Sequence, residues 1–101
     1  MSNICHFTVP ASRDIENIID YIADVSNLDA ADELLNLINQ KCRMLANFPK
    51  MGKLREELAK NLRSFPVEDY LIFYCQVENG IEITRVISGY RDLESLFLVD
   101  R

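Results

Sequence analysis

The chain predicts a single α+β domain spanning residues 1–101, with helices covering one face of an antiparallel sheet. Three observations carry this. Apolar residues recur at helical spacing in the first half and alternate as strands do in the second, the switch falling near residue 61. Two aromatic and β-branched runs flank Asn79-Gly80, the strongest short-range signal for a two-residue hairpin, because both central turn residues must take positive φ. With 101 residues, 49% of them hydrophobic and 27% charged, the chain can build one core without disulfides or metal.

The elements follow in order. Residues 4–8 read as a strand, with Ile4, His6 and Thr8 on one face and Cys5 and Phe7 on the other. Pro10 stops it and suits the first turn of a helix. Ala11, Ile15, Ile18, Ile19, Ile22 and Val25 keep helical spacing, and Asp14, Glu16, Asp20 and Asp24 are expected on the wet face. Ser26-Asn27 breaks the pattern and offers caps for a second helix. Asp29, Asp32 and Glu33 load its first turn with acid, which the helix dipole favours. This helix carries two apolar stripes: Ala31, Leu35, Ile38, Cys42 and Leu45, then Leu34, Leu37, Met44 and Phe48. Such a face is wider than one contact needs, so it is either sandwiched between the first helix and the sheet or reserved for a partner.

Pro49 ends the second helix, Gly52 loosens the connection, and residues 50–61 read as a charged loop. Residues 62–68 form a strand that Pro66 confines to a position tolerating a missing donor. Glu68-Asp69 turns the chain. Residues 70–77 are apolar on both faces, as a central strand requires. Residues 81–88 complete a three-stranded antiparallel meander. Arg85 shares a face with Ile81 and Ile83 if alternation holds, and the apolar pair Val86-Ile87 signals a bulge or a covered end. Asp92 is placed to cap a short C-terminal helix docked through Leu93, Leu96 and Phe97.

Bulk chemistry excludes several function classes. Cys5, Cys42 and Cys75 are odd in number and lack ligand spacing, which points to reduced thiols, no metal site and no disulfide framework. No stretch is long and apolar enough to span a bilayer and no targeting segment is read, so a cytoplasmic protein is expected. The net charge of −5 repels phosphate backbones and argues against direct nucleic-acid binding. The charge is uneven: residues 1–49 hold three basic and seven acidic side chains, residues 50–101 eight and nine. Lys50, Lys53, Arg55, Lys60, Arg63, Arg85 and Arg91 can therefore form a local basic patch. His6 is the only histidine, so a nucleophilic triad fails, and with three glycines no phosphate loop exists. The constellation left is Arg63, Arg85, Tyr90 and Arg91: the arginines offer forked donors and the tyrosine a stacking face. Pairing of these arginines with the chain's own carboxylates is the competing reading.

These residues bring the chain close to a known family. The first-helix set Ala11, Asp14-Ile15, Ile18 and Tyr21-Ile22-Ala23 resembles the opening helix of the RelE/ParE superfamily of bacterial toxins. Ala30-Ala31, Leu45, Phe48-Pro49 and Gly52 are similar to its second helix and exit. Leu62-Arg63-Ser64-Phe65-Pro66-Val67, followed by Tyr70-Leu71-Ile72-Phe73-Tyr74, resembles the ParE-type strand pair. Arg85-Val86-Ile87 with Gly89, Arg91 and Asp92-Leu93 resembles the terminal signature. The resemblance, which favours the ParE branch, implies a type II toxin that inhibits DNA gyrase without catalysis or cofactor and is neutralised by a ParD-like antitoxin. On that reading Arg63, Arg85, Tyr90 and Arg91 contact the target, while Leu34, Leu37, Met44 and Phe48 contact the antitoxin. The RelE alternative implies ribosome-dependent mRNA cleavage with Arg63, Arg85 and Tyr90 as catalytic groups. Many relatives carry His where this chain has Ser88. A third alternative is an inactive module that only binds antitoxin.

Overall fold

The computed structural model describes residues 3–89. The elements are β1 (Ile4–Phe7), α1 (Val9–Val25), α2 (Leu28–Asn47), β2 (Lys53–Leu54), β3 (Arg63–Val67), β4 (Tyr70–Val77) and β5 (Gly80–Ser88). Their strands form one sheet in the order β1-β5-β4-β3-β2. β1 runs parallel to β5, and every other pair is antiparallel. The α+β class, the helical hairpin and the meander agree with expectation. The C-terminal helix expected from Asp92 lies outside the described residues.

Both helix starts are set by local chemistry. Thr8 caps α1, its hydroxyl oxygen accepting from the Ala11 N–H at 3.2 Å, with Pro10 in the first turn. The same hydroxyl donates to the Thr84 carbonyl at 3.0 Å, which fixes the helix start against β5. Asn27 caps α2 by accepting from the Ala30 N–H at 2.7 Å.

The main core lies between the helical hairpin and the sheet. Ala11, Leu34, Ile38, Cys42 and Leu45 pack there on Ile72, Tyr74, Ile81, Ile83 and Val86. Phe73 and Ile87 join a smaller cluster with Leu58 and Leu62. β4 is thus buried on both faces, as its unbroken apolar run requires.

Four expectations change. The β4–β5 turn is Glu78-Asn79, because Gly80 already pairs with Val77 as the first residue of β5. Gly80 serves another need: it has φ +150°, and a Cβ there would strike the Ile4 carbonyl of β1. The segment 50–61 is not all loop. Lys53 and Leu54 pair with Ser64 and Arg63, adding a fifth strand. Pro66 tolerates its interior place because β2 ends before reaching it. Alternation in β5 breaks at Thr84, since Ile83 faces Tyr74 and Arg85 faces Phe73. Finally, Asp14 is not on the wet face; it is half-buried against β5.

Candidate functional site: a groove on the helical hairpin and a clamped basic turn

A concavity of about 520 Å³ opens between the helical hairpin and the β3–β4 turn. Ile22 of α1, Leu34 and Leu37 of α2 and Tyr70 supply apolar surface. Glu33, Glu68 and Asp69 supply an acidic rim. Glu68 holds φ of 54° as the first residue of the two-residue turn, which aims this short hairpin back toward α2. Burial pushes the Tyr70 phenol above its usual range, and the Asp69 carboxylate adds to that. Tyr21, Val25 and Leu28 lie exposed near the hairpin tip.

The apolar stripe expected to meet a partner divides. Leu34 is buried in the core yet borders the groove, and Leu37 is half-buried in its wall. Met44 packs on the main core, and Phe48 is exposed at the far end of α2.

The arginines of the expected cluster point to different elements. Arg85 forks onto Asp14, with Nε to Oδ2 at 2.7 Å and Nη2 to Oδ1 at 3.0 Å. The Asp14 Oδ2 also accepts from the Val86 N–H at 3.0 Å. Asp14 therefore closes the edge of β5 beyond the point where β1 stops. Arg63 donates from Nη1 to the Gly52 carbonyl at 2.8 Å and to the Lys50 carbonyl at 3.4 Å. Beside it the Tyr74 hydroxyl accepts from the Gly52 N–H at 2.9 Å and donates to the Pro49 carbonyl at 2.7 Å. Tyr74 and Arg63 thus grip the turn that leaves α2. A Cβ at Gly52 would collide with the Tyr74 phenol, which explains the glycine by contact rather than by flexibility. Burial pushes the Tyr74 phenol up, only partly opposed by its Gly52 bond and by Arg63. Arg55 donates to the buried Ser64 hydroxyl at 2.9 Å. Tyr90 and Arg91 lie outside the described residues.

All three cysteines are free thiols. Cys5 and Cys42 hydrogen-bond to each other. That bond lowers the Cys5 pKa and raises that of Cys42, which desolvation raises further. His6 meets the Asn79 amide at 3.2 Å on the exposed β1–β5 edge. Among the described residues, no group of three His, Cys, Asp or Glu side chains is arranged to hold a metal ion, and no helix is long and apolar enough to cross a membrane.

Asp14 and Tyr74 join the site from outside the set that the sequence predicts. Asp14 had a readable signal: it lies three residues after Ala11 and four before Ile18, on the apolar stripe itself. Glu68 and Asp69 gave none, because only the sheet brings the β3–β4 turn to α2.

The described residues thus place a helical hairpin on one face of a mixed sheet, with a groove at the hairpin and a basic turn at the sheet edge. A solved chain from the chromosomal ParDE toxin–antitoxin system of P. aeruginosa superposes with a TM-score of 0.74 at 17% identity, covering 86% of this chain and 96% of that one. Toxin ParE3 of Caulobacter vibrioides (strain ATCC 19089 / CIP 103742 / CB 15) is 27% identical over 86 residues, which is 85% of this chain and 86% of that protein. The model of the family described as ParE toxin of the type II toxin–antitoxin system parDE matches residues 6–93, and the chain belongs to that family.

Proposed function

We propose that the chain is held inactive by a ParD-like antitoxin in the cytoplasm of a bacterium and, when released, inhibits DNA gyrase without chemistry of its own. The observation that carries this is the family match across residues 6–93. The groove supports the antitoxin part. An apolar wall with an acidic rim suits an amphipathic segment that presents apolar side chains flanked by lysine or arginine. Leu34 and Leu37 are its contacts on α2. Arg63 and Arg85 direct their donors at backbone carbonyls and at Asp14, an internal engagement that weighs against a nuclease role for them.

The test uses purified protein released from its antitoxin. Inhibition of gyrase supercoiling, reversed by added antitoxin, is the expected result. Intact supercoiling with cleavage of ribosome-bound mRNA would move the chain to the RelE activity. Antitoxin binding with neither activity would leave an inactive module.

A further inference from the structure

Charge on this molecule is segregated. Residues 48–63 hold five basic and two acidic side chains, and the other 85 residues hold six basic and fourteen acidic. The same stretch breaks the rule of apolar burial. Phe48, Met51 and Leu54 are 61%, 49% and 44% exposed within seven residues. Three large apolar groups interleaved with Lys50 and Lys53 are more than the scattered exposure normal for a monomer. The turn beneath them is held by the Tyr74 and Arg63 bonds to residues 49–52. An ordered turn offering apolar groups to water loses little further entropy when a partner covers it.

From this we infer that the turn between α2 and β3 is a docking surface for an acidic protein face with an apolar centre. Phe48, Met51 and Leu54 meet the centre. Lys50, Lys53 and Lys60, which have no ion-pair partner among the described residues, meet the acidic rim. The partner differs from the one suited to the helical groove, whose rim carries the opposite charge. The inference rests on the toxin reading, and its occupant is the toxin's target. A nucleic acid fits less well. The whole chain is net negative, and Arg55 and Arg63, the forked donors that grip phosphates, are turned inward.

The experiment expresses the full chain in bacteria without antitoxin and reads growth. Two variants are compared with it, Phe48→Ser/Met51→Ser and Lys50→Glu/Lys53→Glu. Each is also co-expressed with antitoxin to read co-purification and melting temperature. The expected result is growth arrest by the parent chain and its loss in both variants. Antitoxin should still co-purify, with melting shifts below about 4 °C, as changes confined to the surface give. If a variant melts lower than that, Lys53→Gln/Lys60→Gln takes its place. Arrest that survives either pair of changes overturns the inference. Arrest that survives the serine pair alone assigns the surface to a polyanion, which also overturns it. Loss of antitoxin co-purification overturns it too, since the two surfaces would then be one. A parent chain that fails to arrest growth removes both this surface and the toxin reading. Plasmid supercoiling in the same cultures separates the two ideas: arrest with normal supercoiling excludes gyrase and leaves the surface to be judged by its variants.

Discussion

Replacing Asp14 with alanine should cost this fold more than any other exposed-looking helix substitution. The carboxylate accepts two charge-assisted bonds from Arg85, at 2.7 and 3.0 Å, and one from the Val86 N–H at 3.0 Å. The Asp14 and Arg85 side chains are 15% and 22% exposed, so water cannot fully replace the lost acceptor. A hydrogen bond to a charged group contributes about 1.5–3 kcal/mol, and residual screening places this cluster near 2–3 kcal/mol in all. Alanine returns roughly 0.5 kcal/mol through helix propensity. At about 4–8 °C per kcal/mol for a domain of this size, the melting temperature should fall by roughly 10 °C. Urea unfolding of Asp14→Ala, Arg85→Ala and the double variant measures it, with a coupling above about 1 kcal/mol expected. Additive effects within about 0.3–0.5 kcal/mol would refute the clamp and return Arg85 to the surface as a contact residue.

Gly80→Ala should destabilise by more than about 2 kcal/mol, because backbone of β1 occupies the space and φ is positive; native-state hydrogen exchange should show Ile4 to Phe7 losing protection first. Tyr74→Phe should cost about 1–3 kcal/mol and speed exchange of the Gly52 amide, its donor in the parent fold. The Tyr74 phenol is raised in the fold, so the unfolded chain loses its proton first; stability should fall as pH climbs above about 10, and Tyr74→Phe should flatten that fall. Among the thiols, Cys5 should react first with iodoacetamide as pH rises and Cys42 last, read by mass spectrometry, since their mutual bond favours the Cys5 thiolate.

What the residues revealed depended on range. The helices were legible from Ala11, Ile15, Ile18 and Ile22 and from the Asn27 cap, because helical periodicity and capping act within a few positions. The central place of β4 was legible from an apolar run that only double burial tolerates. Gly80 reads as a turn residue but is needed for β1, a strand more than seventy residues away. The charge of Asp14 points to water, although its spacing puts it on the buried stripe. Leu34 and Leu37 of the groove could be read from their stripe, whereas Glu68 and Asp69 reach it only through sheet register. The clamp of Tyr74 and Arg63 on residues 49–52 was equally hidden. It joins β3 and β4 to the residues just before β2, and a two-residue strand leaves no pattern to read.

The most direct test of the whole account is plasmid topology in cells expressing the chain with and without the product of the adjoining reading frame. Alone, the chain should arrest growth and relax plasmid DNA; with its antitoxin, growth and supercoiling should both return to normal. Arrest with unchanged topoisomers, or no arrest at all, would contradict it.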